Sequence, residues 1–368
     1  MQTSKIIGTG SYIPTHIKQN KDFLQQEFYN EKKNKFPNSN EVIINKFKAI
    51  TGINERRYLS DNLVSSDMAT IAAENAIKDS GINPEELDYI IVAQNFGDIK
   101  HGQHQSDSIP SIASRVKHKL KINNPNCIAY DVIFGCPGWI EGVIQAQAFI
   151  KAGMAKKCLI IGSETLIRVA DPYDRDSMIY SDGAGACVLE ASNNTSEGIL
   201  SHSSQSFTKE EAYFLYSDKS FNPNEDQNIN YMKMNGRKIY EFALNNVPNA
   251  IKSALEKSKL GINNVKKIII HQANEKMDEA IVKRFYELYN LEMPKDIMPM
   301  SISKLGNSSV ATIPTLLDLI LKGNLENHQI NKGDTVIFAS VGAGMNINAI
   351  VYQYYNKRYL TIPKELFL

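Results

Sequence analysis

Short apolar runs alternate with longer amphipathic stretches along this chain. Ile90 to Val92, Leu159 to Ile161 and Ile268 to Ile270 are unbroken apolar triplets, the pattern of strands covered on both faces. Ser66 to Ser80 and Tyr240 to Lys259 carry apolar residues at helical spacing, and each precedes a strand. That order predicts an α/β fold with helices covering the sheets. Lys5-Ile6-Ile7 reads as a strand ending at Gly8, Thr335 to Ala339 as a late strand, and Val310 to Leu321 as an apolar helix. Glu31 to Asn40 and Asn222 to Asn230 are polar and read as surface excursions.

The pattern recurs. Ala76 to Asn83 followed by Asp88 to Asn95 is a helix end, a glycine stop, a loop and a strand. Leu255 to Asn263 followed by Lys267 to Asn274 repeats it. The strand at Leu159 and the strand at Ile337 stand at the same separation as those at Ile90 and Ile268. Reuse of a common helix–glycine–strand unit explains one such match; two at equal separation favour an internal duplication. The halves are drawn at residues 1–195 and 196–368.

Composition narrows the class. With 368 residues, 42% hydrophobic and 22% charged, the chain is long enough for a large core. A net charge of +1 does not single out nucleic acid or an anionic membrane as partner. No run reaches the roughly 18 apolar residues of a membrane span, and Met1 to Gly10 lacks the pattern of a signal peptide. The four cysteines, Cys127, Cys136, Cys158 and Cys187, show neither CxxC nor metal-ligand spacing. Reduced thiols in a cytoplasm are expected.

Four segments carry candidate chemistry. In Phe134-Gly135-Cys136-Pro137-Gly138 a strand ends near Phe134 and a helix begins with Pro137 at its first position. Cys136 then sits beside a helix N-terminus, which favours thiolate. Locally, an inert buried thiol and a nucleophile fit Cys136 equally well; the other three cysteines read as inert. His271 stands at the C-terminal end of a strand, where α/β folds build sites, although a lone histidine there is more often structural. Asn307 precedes a helix, so an N-cap is its plain reading. Gly342-Ala343-Gly344 is a glycine-rich turn, either a simple turn or a set of backbone N–H groups facing an anion.

Together these segments resemble the β-ketoacyl-acyl-carrier-protein synthase III branch of the thiolase superfamily. The resemblance spans nearly the whole chain. It includes Ile6 to Gly10, Thr51-Gly52-Ile53 with Glu55-Arg56-Arg57, Asp171 to Arg175, Ser181 to Ala186, His271-Gln272-Ala273-Asn274 and Gly306-Asn307-Ser308-Ser309. It implies the thiolase fold, two related halves in a five-layered αβαβα arrangement. It implies Cys136, His271 and Asn307 as the catalytic set, with backbone N–H groups of Cys136 and Ala343 as oxyanion hole. The reaction implied is decarboxylative condensation of a Cys-bound acyl group with a malonyl thioester, an acyltransferase chemistry. The setting is fatty acid synthesis or a specialised lipid or polyketide route, such as one to resorcinol lipids.

The resemblance also implies a homodimer, acyl-carrier protein as partner, and substrates held on its phosphopantetheine or on coenzyme A. Neither cofactor nor metal is implied. Candidate substrate contacts are Phe134, Trp139, Arg175, Ile109, Gly342 and Gly344, with a core role for Phe134 and Trp139 an equal alternative. Lys276 is a candidate docking residue for the acidic carrier, or a plain solvated lysine. Two departures bear on the donor. Lys46 and Ile50 stand where an aromatic and a basic residue often hold coenzyme A, which tilts the expectation to a carrier-bound donor. The stretch Phe96 to Pro110, with His101 and His104, is longer than the family's loop and predicts an unusual acyl chain rather than a metal site. Alternative readings are acyl transfer to an oxygen or nitrogen nucleophile without decarboxylation, and a non-catalytic partner subunit. Hydroxymethylglutaryl-CoA synthase-like chemistry would want a glutamate before the nucleophile, and Phe134-Gly135 offers none.

Overall fold

A computed structural model describes residues 2–355; residues 356–368 of the C-terminal half as drawn lie outside the described residues. The first part of the chain runs β1 (Thr3–Tyr12), β2 (His16–Gln19), α1 (Asn40–Thr51), β3 (Glu55–Tyr58), α2 (Ser65–Ser80), β4 (Tyr89–Ala93), α3 (Ile112–Lys119), β5 (Ile128–Val132), α4 (Gly138–Lys151), β6 (Lys157–Thr165) and β7 (Asp182–Ser192). The second part runs β8 (Gly198–Ser206), β9 (Leu215–Asp218), β10 (Tyr231–Met234), α5 (Gly236–Ser258), β11 (Val265–Ile270), α6 (Glu275–Glu287), α7 (Ile302–Leu305), α8 (Thr312–Leu321), β12 (Thr335–Gly342) and β13 (Asn346–Gln353).

Two sheets share one plan. The first has the order β1-β7-β6-β4-β5 and the second β11-β12-β13-β8. Read from β8, the second repeats the first: two antiparallel pairings, then a parallel one. In the parallel pairs Ile90 faces Leu159 and Ile268 faces Ile337. The equal separation seen in the sequence is therefore one rung of a ladder built twice. Where β5 flanks β4, the second sheet has only an extended segment, whose Ile297 carbonyl accepts from the Ile268 N–H at 2.9 Å.

The apolar triplets are buried on both faces because alternate residues enter different cores. Ile90 and Val92 pack outward against Met68, Ala72 and Ala76 of α2 and Val116 of α3. Ile91 packs inward with Ile140 and Val143 of α4, Leu316 and Ile320 of α8, and Ile269 and Phe338 of the second sheet. Ile268 and Ile270 face Val247 and Ile251 of α5 and Phe285 of α6. The layers are thus α2/α3, sheet, α4/α8, sheet, α5/α6, the expected five-layered αβαβα thiolase fold. Cys127, Cys158 and Cys187 are free and buried in these cores. No helix among the described residues is long and apolar enough to cross a membrane.

Some sequence expectations need correction. β1 does not stop at Gly8 but runs on to Tyr12. A Cβ on Gly8 would lie 2.5 Å from the Ser80 N–H nitrogen of α2, so this glycine admits a helix backbone rather than ending a strand. The segment read as one helix from Val310 opens with a 3-10 turn, Ser309–Ala311, and becomes α-helical only at Thr312.

The stretch from Asn222 to Asn230 joins β9 to β10, and its base is not a free excursion. The buried Asp171 carboxylate accepts from the Ser220 hydroxyl at 3.0 Å and the Phe221 N–H at 2.8 Å. It also pairs at 2.5 Å with Lys233 of β10, whose side chain is fully buried; Asp174 lies 3.5 Å from the same ammonium. Met232 and Met234 flank Lys233 on this hairpin and line the central cavity. Asp171→Ala would leave Lys233 with one distant carboxylate, and loss of a partner in a buried pair costs about 3–5 kcal/mol. A fall in unfolding free energy of about 3 kcal/mol is expected in urea denaturation.

Candidate active site

The ends of β4, β5, β6, β11 and β12 converge on a cavity of about 420 Å³. Its wall includes Cys136, His271, Asn307, Phe134 and the turn Gly342-Ala343-Gly344. Most other lining side chains are apolar, among them Phe96, Leu166, Leu215, Met277 and Met345. The volume falls within the range of small-molecule sites.

Cys136 lies in the turn between β5 and α4. The strand ends at Val132 rather than near Phe134, and Pro137 is the cap residue before the first helical residue, Gly138. Gly135 adopts a left-handed φ of 65°, which suits glycine. Its N–H donates to the Asn95 side-chain oxygen at 3.0 Å. A Cβ on Gly135 would come within 2.6 Å of the Ala343 nitrogen, and one on Gly342 within 2.4 Å of the Cys136 nitrogen. Both turns therefore need glycine to bring the N–H groups of Cys136 and Ala343 to one place.

Burial pushes Cys136 up to about 11, the nearby Glu164 carboxyl adds to the rise, and a hydrogen bond from Ser309 opposes it. This corrects the expectation that the helix start alone favours thiolate. Desolvation outweighs the helix end, and Pro137 has no N–H to offer there.

His271 follows β11, and its N–H continues the ladder to the Ala339 carbonyl at 2.9 Å. Burial pushes its imidazole down to about 4, against a hydrogen bond to the Ser309 backbone, so the ring is neutral near pH 7. The rest of its motif is structural. Gln272 donates to the Pro299 carbonyl at 2.8 Å and accepts from the Ser301 N–H at 2.9 Å. Asn274 caps α6, accepting from the Met277 N–H at 3.1 Å.

Asn307 is not the cap of α8. Its backbone bonds to Ile179 and Ser181, at 3.0 and 2.8 Å. Its Oδ1 accepts from the Ser309 N–H at 2.8 Å. An N–H donor requires the oxygen at that position, so the amide NH2 is the end left to donate elsewhere.

Other sequence candidates fall outside the cavity. Trp139 is buried in the core between the sheets, edge-on to Phe338; of its two readings, wall and core, the core one holds, since α4 turns that face away from the site. Arg175 does not line the cavity: its guanidinium lies 4.9 Å over the Phe36 ring and 3.8 Å from Asp176. Ile109 is 88% exposed and away from its own chain's cavity. Lys276 is exposed in the first turn of α6, next to Met277 of the cavity wall. Lys46 and Ile50 are exposed on α1. His101 pairs with Asp61 at 3.1 Å and His104 packs edge-on against Tyr231.

Sequence reasoning missed Asn95, Glu164 and Ser309, which lie around Cys136. Asn95 donates to Glu164 at 2.6 Å, and the Ser309 hydroxyl lies 3.5 Å from the Cys136 sulfur. The internal repeat held a signal. It aligns the end of β4 with the His271 motif and the end of β6 with Gly342, so Asn95 and Glu164 occupy strand ends that bear site residues in the other half.

The comparisons with known proteins identify the family. The family described as 3-oxoacyl-[acyl-carrier-protein (ACP)] synthase III matches residues 130–207, and its C-terminal family matches residues 255–354. The β-ketoacyl-[acyl-carrier-protein] synthase III of Clostridium botulinum is 35% identical over 356 residues, covering 95% of this chain and 98% of its own length. Synthase III 1 of Halalkalibacterium halodurans is 33% identical over 346 residues, covering 94% and 96%. The crystal structure of 3-oxoacyl-[acyl-carrier-protein] synthase III from Aquifex aeolicus superposes with a TM-score of 0.78 at 30% identity, covering 95% of this chain and all of that one. With such identity along almost its full length, this chain belongs to the 3-oxoacyl-[acyl-carrier-protein] synthase III family.

Proposed function

We propose that the chain catalyses decarboxylative condensation of a Cys136-bound acyl group with a malonyl thioester. The observation that carries this reading is the convergence of a thiol, two neutral side-chain donors and two glycine-supported backbone turns on one largely apolar cavity. In the first half-reaction the Cys136 sulfur attacks the donor thioester. The N–H groups of Cys136 and Ala343 receive the oxyanion, the acyl–sulfur bond to the carrier breaks, and the thiol proton leaves with the carrier thiol. With its thiol at about 11, Cys136 loses its proton as the oxyanion forms rather than before.

In the second half-reaction a malonyl thioester loses CO2. The electron pair left behind becomes an enolate, whose oxygen accepts from the neutral His271 ring and the Asn307 amide. The enolate carbon bonds to the acyl carbonyl, the Cys136 sulfur is expelled as thiolate, and it takes up one proton from solvent. Two neutral side-chain donors in the cavity beside Cys136 favour condensation over simple acyl transfer. Retention of Cys136 inside the cavity disfavours a non-catalytic subunit.

The exposed Lys276 beside Met277 supports carrier docking there, and the lack of a clamp at Lys46 and Ile50 supports a carrier-bound donor. Arg175 remains a candidate contact at the entrance. β5 is paired on one side only, and exposed Ile128, Ile133 and Ile109 flank its open edge. Such an edge supports a homodimer, in which Ile109 reaches the neighbouring cavity. Fatty acid and specialised lipid or polyketide routes both use this chemistry, with no cofactor beyond the carriers of the substrates.

On incubation with acyl-carrier protein bearing acyl chains of varied length, intact mass should show one acyl adduct, absent in Cys136→Ala. An adduct surviving that substitution would sink the assignment. Asn307→Ala should slow CO2 release from malonyl thioester about 10²–10³-fold, the usual effect of one lost oxyanion donor; an unchanged rate would remove Asn307 from this step. Lys276→Glu should raise KM for the malonyl carrier protein about tenfold while leaving kcat unchanged, as expected of an uncompensated charge at a docking rim. An unaltered KM would leave Lys276 a solvated lysine.

A further inference from the structure

Ser309 touches all three residues of the proposed catalytic set. Its N–H holds the Asn307 oxygen at 2.8 Å. Its backbone lies near enough to the His271 imidazole to oppose the fall in that ring's pKa. Its hydroxyl lies 3.5 Å from the Cys136 sulfur, with the hydroxyl as donor. The residue is buried and has a φ of 53°, a region that side-chain-bearing residues seldom occupy.

The direction of the hydroxyl bond follows from what lies behind it. The Asn95 oxygen accepts from the Gly135 N–H, so its amide nitrogen faces the other way. That nitrogen donates to Glu164 at 2.6 Å and to the Ser309 oxygen at 3.5 Å. With its oxygen accepting from Asn95, Ser309 directs its own proton to the remaining neighbour, the Cys136 sulfur.

Resting on the reading of Cys136 as nucleophile, we propose that the Ser309 hydroxyl is a further catalytic group, donating to the Cys136 sulfur and favouring its thiolate, and that Asn95 and Glu164 are the positioning residues that orient it. Glu164 suits the task. Burial pushes its carboxyl up to about 8, so near neutral pH it accepts from Asn95 with little negative charge, and at the higher pH where Cys136 ionises its charge opposes the thiolate while the Ser309 bond favours it. A charged carboxylate there would oppose the thiolate, and a residue without an acceptor would release Asn95. The other titratable groups lining the cavity with Cys136 are His271 and the phenols of Tyr180 and Tyr216, and the turn from Gly342 to Asn346 contributes none; Asp182 acts on Glu164 and adds to its upward shift.

The test is the pH profile of Cys136 alkylation by iodoacetamide, read by peptide mass in the full chain. Ser309→Gly removes the hydroxyl and keeps the backbone bonds, and glycine accepts the positive φ. Its inflection should move up by about one pH unit, the tenfold change in ionisation expected for one hydrogen bond to a charged group. Asn95→Ala should move it in the same direction by less, and this variant decides the matter if Ser309→Gly fails to fold. Unchanged or lowered inflections would overturn the proposal, whereas a merely structural Ser309 would lower the melting temperature and leave the profile in place. Alkylation needs neither acyl donor nor malonyl thioester, so failure of the condensation reading would not imitate this result.

Discussion

Two backbone turns in direct contact hold this molecule's chemistry together. One ends β5 and the other joins β12 to β13, so they come from different sheets. They meet only because Gly135 and Gly342 present no Cβ, each replaced by the other turn's backbone nitrogen at 2.6 and 2.4 Å. Everything else serves that contact. The middle layer of α4 and α8 fixes the spacing of the sheets. The repeated strand order then brings the same end of each sheet to the same place, as expected where α/β sheets build sites at carboxyl ends of strands.

Burial sets the electrical character of the place so formed. The Cys136 thiol, the His271 imidazole and the Glu164 carboxyl are all pushed toward their uncharged forms by desolvation. A site of this kind holds little standing charge. It stabilises charge only as charge develops, through donors already oriented by backbone bonds. The Ser309 N–H to Asn307, the Ala339 carbonyl to the His271 backbone and the Gly135 N–H to Asn95 are such bonds. The β9–β10 hairpin completes the enclosure. Lys233 and Asp171 clamp its hidden side while Met232 and Met234 turn toward the cavity.

Much of this was legible in the residues. The apolar triplets announced strands buried on both faces, and the equal separation of their pairs announced the duplication, because one rung recurs with the same spacing. Cys136, His271, Asn307 and the Gly342 turn were singled out by the family resemblance of their motifs, since each by itself fitted an inert thiol, a structural histidine, a helix cap or a plain turn equally well or better. Positions whose role depends on a distant neighbour were harder to read. Gly8 looked like a stop and is a point of helix contact. Trp139 read equally as wall or core and is core, since the sequence places it one helical turn from Cys136 without saying which way that turn faces.

The chain's own order of residues determined the layers, the repeat and the motifs that resemble the family, because periodicity and motif are local properties. Tertiary structure alone decided how those groups are tuned. The thiol's high pKa, the neutral imidazole, the orientation of the Asn307 amide and the convergence of Asn95, Glu164 and Ser309 on one sulfur all arise between segments far apart in the chain. Desolvation and hydrogen-bond direction depend on the whole surrounding volume, and no local pattern encodes that volume.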